Sequence, residues 1–275
     1  MRASPGHGAT HPASVADSIA WDPARGELDP DALSGVDAVV NLAGEPIATR
    51  WTVTRKRRMA ASRIDTTALI ARAIAAMPAR PGVFLSASAV GYYGDRGAEA
   101  LDEMSSSGSG FLAELCREWE AATAPARDIG VRIVHARFGV VLGRGGGMLA
   151  AVLPVFELGA GGKLGSGAQW MSWIARTDAV AALRHAIAAD VVRGPVNVTS
   201  PNPVTQAEFV AVLGRVLRRP TLAPVPAFAL RLVFGEMADD ALLASQRVYP
   251  GALERSGFTF RHPTIEGALR FELGR

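Results

Sequence analysis

Short runs of apolar residues alternate along this chain with longer stretches of helical periodicity. The apolar runs cover residues 36–41, 83–86, 131–136 and 196–198, and turn-forming residues separate them from their neighbours. The periodic stretches cover residues 53–77, 111–124, 148–158, 178–189, 205–217 and 263–271. Apolar strands that alternate with helices are typical of a parallel sheet covered on both faces. The pattern therefore predicts an α/β fold, with one further short strand at residues 19–21.

Several polar residues have a predicted place in these elements. Thr205 and Glu208 have the spacing of a capping box, and Thr177 or Asp178 is the expected N-cap of the helix before the last strand. The polar and glycine-rich composition of residues 94–109 predicts a loop. His135 alternates within its strand and is expected to be a hydrogen-bonded core residue.

Composition limits the class of protein. The 275 residues are 49% hydrophobic and 20% charged, which suits one large α/β domain or two small ones and argues against global disorder. The single cysteine, Cys116, allows no disulfide framework and predicts a buried core thiol and a cytoplasmic location. No apolar run is long enough for a membrane span, so no membrane partner is expected.

Charge adds little to the picture. The formal net charge is +3, and the arginine-rich stretch 50–63 reads as the solvated face of a long helix, with nucleic-acid binding as a distant alternative. We therefore expect no nucleic-acid partner. The five histidines are scattered without ligand spacing, so we expect no metal site. The sequence leaves the oligomeric state open.

A series of motifs extends along most of the chain. In order they are NLAGEPI at 41–47, SRIDTT at 62–67, SASAVGYYG at 86–94, WEAA at 119–122, RFGVVLGRGGG at 137–147, GGKLGSGAQ at 161–169 and PNPVT at 201–205. Their order and spacing, from about residue 16 to the end, resemble the epimerase family of the extended short-chain dehydrogenase/reductases. The resemblance implies a Rossmann-type doubly wound parallel sheet, NADP(H) as cofactor, and an oxidoreductase- or epimerase-like activity on a small molecule.

Members of that family begin with a strand, a GxxGxxG turn, a helix and a second strand, and the start of this sequence shows none of them. We therefore expect a Rossmann domain over residues 1–221 that lacks its first β-α-β unit and has substrate-lobe insertions at about 145–175. Residues 222–275 are the family-specific segment and a smaller, mostly helical substrate lobe. Without that unit the strand at 36–41 becomes an exposed edge, so we expect poor folding and weak NADPH binding.

The resemblance assigns site residues to loops at the carboxyl edge of the sheet. The cofactor-binding candidates are Arg2, which would pair with the 2′-phosphate, and Asn41, Leu42, Ala43, Gly44, Ser86 and Arg137. The catalytic candidates are Ser88 and Tyr92. The substrate candidates are Glu45, Tyr93, Gln169, Trp170 and Trp173, although core packing explains the two tryptophans equally well.

The superfamily's Tyr-x-x-x-Lys pair is absent. Counting forward from Ser88 places Phe111 and Leu115 where the tyrosine and lysine belong, and neither side chain carries a proton. Two interpretations stay open. One is an oxidoreductase or epimerase in which Ser88 orients the substrate and Tyr92 or water supplies the proton. The other is a non-catalytic dinucleotide-binding sensor or partner-binding module.

Overall fold

The computed structural model describes residues 19–275. Its strands are β1 (Ala38–Asn41), β2 (Val83–Ala89), β3 (Ala100–Leu101), β4 (Arg132–Phe138), β5 (Val140–Leu142), β6 (Trp170–Met171), β7 (Trp173–Ala175), β8 (Gly194–Val198), β9 (Val204–Thr205) and β10 (Arg247–Val248). Its helices are α1 (Val53–Ala76), α2 (Phe111–Ala121), α3 (Ala124–Arg127), α4 (Gly147–Glu157), α5 (Arg176–Ala188), α6 (Gln206–Leu217), α7 (Ala227–Phe234), α8 (Gly251–Arg255) and α9 (Ile265–Leu273).

The central sheet is parallel throughout and has the order β1-β2-β4-β8. Helices cover both of its faces, as the alternation of strands and helices predicts. On one face Val39, Phe84 and Ile133 pack with α1 and α3. On the other, Leu85 and Val134 pack with α5 and α8. The predicted α/β class is confirmed.

The first strand lies at one margin of the sheet. Within residues 19–275, β1 pairs with β2 alone. Its side chains alternate between buried and accessible, and Val40 is 37% exposed. The edge position expected for this strand is therefore observed.

A second apolar core lies beside the sheet. Helices α4, α6 and α9 enclose it together with β5 and β7, and Trp173 is fully buried there. The N-terminus of α6 has the predicted capping box, in which Thr205 Oγ1 accepts from the Glu208 amide and the Glu208 carboxylate accepts from the Thr205 amide. Residues of α9 thus share a core with α6, the helix that follows β9.

Several predicted boundaries differ from those observed. Residues 19–21 form no strand and lead into a turn closed by a bridge between Asp22 and Glu27. The strands predicted at 83–86 and 131–136 continue to Ala89 and Phe138, so Ser88 and Arg137 lie inside strands. The predicted helix 111–124 ends at Ala121 and is followed by the separate α3.

The predicted N-cap of α5 is wrong. The helix begins at Arg176 with Ala175 as its N-cap, and Asp178 lies inside the first turn. The Asp178 carboxylate is fully buried and accepts from the backbone amides of Arg261 and His262, at 2.9 and 2.8 Å. A distant segment of chain therefore uses the side chain that local spacing assigns to the cap. No helix in the described part of the chain is long and apolar enough to cross a membrane.

Candidate active site

A cavity of about 560 Å³ opens where β1, β2 and β4 end. This is the edge at which parallel α/β sheets bind ligands, because the connecting loops diverge there. Residues from α1, α2, α5 and the C-terminal segment complete its walls. The lining side chains include Leu42, Ile47, Arg63, Ser88, Leu112, Leu115, Cys116, Trp119, Phe138, Val141, Arg176, Asp240 and Gln246.

The loop after β1 is fixed by a buried amide. Asn41 Nδ2 donates to Thr67 Oγ1 at 2.9 Å, and its Oδ1 accepts from the Ala43 amide at 3.1 Å. The same Thr67 oxygen accepts from the Trp119 indole at 2.9 Å. Asn41 therefore shapes the loop and ties it to α1 and α2, while Leu42 from that loop lines the cavity.

Arg63 lies directly over this loop. A Cβ on Gly44 would meet its guanidinium at 3.0 Å, so a glycine allows the close approach. Arg63 donates to the backbone oxygens of Glu45 and Met59, at 2.8 and 3.2 Å. Its charge also lies 5.2 Å from the Trp119 ring centroid. Burial lowers the pKa of this guanidinium.

Ser88 is nearly fully buried on the cavity wall and has a charged partner. Its hydroxyl donates to Glu120 Oε1 at 2.7 Å. Arg137 holds the same carboxylate with two hydrogen bonds, both 2.8 Å long. A bidentate arginine fixes both the charge and the orientation of a carboxylate. The serine therefore faces an acceptor whose position is set by β4.

The network continues away from the cavity. Arg137 Nη1 donates to the Tyr93 hydroxyl at 3.0 Å, and that hydroxyl donates to Asn197 Oδ1 at 2.7 Å. Burial raises the pKa of Tyr93 to about 12 in spite of the neighbouring Arg137. The Arg137 guanidinium carbon lies 3.5 Å from the centroid of the Tyr92 ring. Tyr92 is not among the cavity-lining residues. The acid role predicted for Tyr92 remains a prediction.

The cavity-facing positions of α2 are Leu112, Leu115, Cys116 and Trp119. The first and third are four residues apart, so the helix brings them to one face. Position 111 points elsewhere, since Phe111 packs edge-on against Trp51 at 5.2 Å between ring centroids. Within the described chain, the α2 wall thus offers no phenol and ammonium pair.

Cys116 is buried, as predicted, and also lines the cavity. Burial, assisted by the nearby Glu120 carboxylate, raises the pKa of its thiol to about 11. The thiol is protonated at neutral pH and contributes no nucleophile.

Asp240 reaches the cavity from the C-terminal segment. Its carboxylate accepts from the Phe111 amide at 3.0 Å and so acts as the acceptor at the N-terminus of α2. The N-cap itself is Gly110, whose φ of 96° and close approach to Asp240 leave no room for a side chain. Burial raises the pKa of Asp240.

The other predicted residues occupy varied positions. Ser86 is fully buried in β2 and its hydroxyl contacts only the Ala87 oxygen. Glu45 is half-buried, and its amide donates to Ser62 Oγ at 3.0 Å. Gln169 and Trp170 line a second cavity of about 530 Å³. Trp173 lines neither cavity and donates its indole N–H to the Asn202 oxygen, which fits the core-packing interpretation. Arg2 lies outside the described residues.

The sequence motifs point to Tyr92 as the acid beside Ser88, whereas the group that contacts the serine hydroxyl in the structure is Glu120. That residue is in the WEAA motif, but only the fold shows that its side chain turns toward β2 and β4. His135, predicted to be hydrogen-bonded, contacts Thr123 Oγ1 through Nε2 at 3.0 Å and lies half-buried beside Glu120. Burial lowers the pKa of His135.

Comparison with known proteins identifies the family of this chain. The model of the NAD dependent epimerase/dehydratase family matches residues 28–199. The chain belongs to this family. A second family model, described as a domain of unknown function (DUF1731), matches residues 225–272, which include Asp240.

Relatives and solved structures agree. The chain is 49% identical over 260 residues to an epimerase family protein of Mycobacterium bovis, covering 94% of this chain and 86% of that protein. It is 38% identical to the human epimerase family protein SDR39U1, covering 92% of this chain and 86% of the human protein. The crystal structure of human SDR39U1 (isoform 2) with NADPH superposes with a TM-score of 0.81 at 34% identity, covering 90% of this chain and 87% of that one.

Proposed function

We propose that this protein binds NADP(H) at the carboxyl edge of its sheet and catalyses hydride transfer to or from the oxygen-bearing carbon of a small molecule. The observation that carries this proposal is the Ser88–Glu120 pair on the wall of the cavity. The related human protein was crystallised with NADPH, which supports this choice of cofactor.

The residues present fit the cofactor's reactive end. The loop that begins at Leu42 lies where a strand of a parallel sheet ends, and Leu42 lines the cavity. Phe138 and Val141 offer apolar surface beside Ser88 on which a planar ring can rest. When bound, the dinucleotide supplies or accepts the hydride.

The protein's own part is proton transfer. Because the Ser88 proton points to Glu120, the serine oxygen is free to accept a hydrogen bond from a substrate hydroxyl. During oxidation of an alcohol, the substrate proton would pass to Ser88 Oγ while the Ser88 proton passes to Glu120 Oε1. The C–H bond breaks with its electron pair, and the carbonyl forms. In the reverse direction Glu120 returns the proton through Ser88.

Cofactor binding and turnover are tested separately. Calorimetry with NADPH and NADH is expected to show binding of NADPH with a dissociation constant above the low-micromolar range, and weaker binding of NADH. Oxidation of NADPH is then followed with a panel of aldehydes and ketones. Turnover that Ser88→Ala abolishes, with NADPH affinity unchanged, supports the proposal. Failure of both nucleotides to bind would contradict it.

A second candidate is a dinucleotide-binding sensor without turnover. The observation in its favour is the α2 wall, whose cavity-lining side chains in the described chain include no phenol and ammonium pair. NADPH binding without oxidation of the cofactor by any carbonyl compound would favour the sensor. The single buried, unpaired cysteine supports a reducing compartment such as the cytoplasm for either function.

A further inference from the structure

The cavity walls are predominantly apolar on the side away from the sheet. Ile47, Leu112, Leu115 and Trp119 form this side, and the polar groups are few. A sugar ring carries several hydroxyls, and each one buried without a partner costs about 1–3 kcal/mol. The walls therefore favour a substrate with an apolar body over a sugar.

Two arginines near the cavity, the buried Arg137 and the half-buried Arg63, differ in one respect. Arg137 has the carboxylate of Glu120 as its counter-ion. Arg63 lines the cavity itself, and no carboxylate of the described chain lies within 4.0 Å of its guanidinium. Its described hydrogen bonds go to two backbone oxygens and to Ser62 Oγ. A guanidinium has five N–H donors, so some are left for a ligand.

The position of Arg63 relates it to the reacting group. Its guanidinium lies over the Trp119 ring, and the next residue, Glu120, holds Ser88. Arg63 and Ser88 thus reach the cavity beside the same turn of α2, one from α1 and the other from β2. A half-buried cation without a carboxylate in direct contact is stabilised by an anion, because partial burial weakens its interaction with water.

From these observations we infer that the substrate is a compact hydroxy acid or oxo acid with an apolar body, whose carboxylate binds Arg63 and whose hydroxyl or carbonyl oxygen meets Ser88. This inference rests on the proposed function and adds the substrate class to it. Arginine binds carboxylates through paired N–H donors, which also orients them. The apolar body would lie against Leu112, Leu115 and Trp119.

The test uses three probes in calorimetry, with and without NADPH. They are 3-phenylpropionate, its neutral isostere 3-phenylpropionamide, and UDP-glucose. The acid is expected to bind at least about tenfold more tightly than the amide, as loss of a charge-assisted pair implies. Equal affinity for acid and amide, tightest binding of UDP-glucose, or no binding of the acid would overturn the inference. NADPH binding and carbonyl turnover measured independently show whether the proposed function survives.

Variants locate the anion site. Arg63→Gln is expected to erase the preference for acid over amide, and Arg63→Lys to restore part of it. Arg58→Gln is the matched control, because Arg58 is an exposed arginine on the same helix and is not among the cavity-lining residues. It should keep the preference. If Arg63→Gln instead weakens NADPH and leaves the preference intact, the anion at Arg63 is a cofactor phosphate and the inference fails. Thermal melting of Arg63→Lys and Arg63→Gln shows whether loss of the hydrogen bond from Arg63 to the Glu45 backbone oxygen lowers the stability of the fold.

Discussion

The Ser88 hydroxyl and the Glu120 carboxylate are joined by a 2.7 Å hydrogen bond between strand β2 and helix α2. The bond links residues 32 positions apart in the chain. It places a proton acceptor behind a hydroxyl that faces the cavity. Ser86, two residues earlier on the same strand, has no such acceptor, because its hydroxyl contacts only the Ala87 oxygen.

Ser88→Ala is expected to lower turnover by about 10²–10⁴-fold, the usual contribution of a positioned acid–base group. Ser86→Ala is the control. Ser86 is equally buried on β2, but it does not line the cavity and contacts only the Ala87 oxygen. Steady-state kinetics with NADPH should leave this control close to wild type. An equal loss in both variants would mean that the strand, rather than the hydroxyl, is responsible.

Removing Glu120 is expected to destabilise the fold. Glu120→Ala leaves Arg137 buried without its counter-ion, which costs about 3–5 kcal/mol of unfolding free energy. Glu118→Ala removes an exposed carboxylate of the same helix and should change stability by less than about 0.5 kcal/mol. Urea unfolding measures both. Near-equal stabilities of the two variants would contradict the pairing described here.

Alkaline pH should destabilise the protein through Tyr93. Burial raises the pKa of its hydroxyl from 10.0 to about 12, so the unfolded chain ionises first as pH rises. The contribution is complete below pH 10.0 and is lost over the interval up to about 12. Its size is about 2–3 kcal/mol. In unfolding experiments at graded pH, Tyr93→Phe should lose less stability over this interval than wild type. Cys116 titrates similarly in both proteins, so the difference isolates the tyrosine.

The single thiol offers a probe of the cavity. Because burial raises the pKa of Cys116 to about 11, iodoacetamide should label the native protein slowly at pH 8. Urea should accelerate labelling to the rate of an exposed thiol. Mass spectrometry reports the extent without interference, since the chain has one cysteine. Rapid native labelling would show that the α2 wall opens readily.

Asp178 should contribute strongly to stability. Its replacement by Ala leaves the backbone amides of Arg261 and His262 without their charged acceptor, and each lost hydrogen bond costs about 1.5–3 kcal/mol. Asp190→Ala, at an exposed site after α5, is the control. Chemical denaturation compares them. Equal midpoints would mean that another group, or water, replaces the carboxylate.

The sequence predicted what depends on local pattern. The strands at 83–86 and 131–136, the long α1 and the capping box of α6 all follow from periodicity and short-range spacing, and their cores are confirmed. The strand ends were missed because polar residues such as Ser88 and Arg137 interrupt the apolar pattern. Ser88 and Arg137 pair with each other across β2 and β4, so backbone hydrogen bonds extend both strands beyond their apolar residues.

The sequence did not predict side-chain contacts between residues far apart in the chain. Asp178 is a residue type that favours helix N-caps, but its hydrogen-bond partners lie 83 and 84 positions further along the chain. Asp240 serves a helix that begins 129 residues earlier. Glu120 lies in the WEAA motif, but its partner Arg137 is 17 positions away on another element. Such contacts depend on the assembled fold, which spacing along one chain does not contain.

Asp240 and Gln246 come from the segment 225–272 and line a cavity whose other residues belong to the sheet and its helices. Exchanging residues 225–272 for those of another family member would replace one wall and the acceptor at the start of α2, while Ser88 and Glu120 stayed in place. Such a hybrid should inherit the donor's choice of ligand and retain the recipient's chemistry. Differences in ligand choice among these proteins would then arise mainly from residues 225–272.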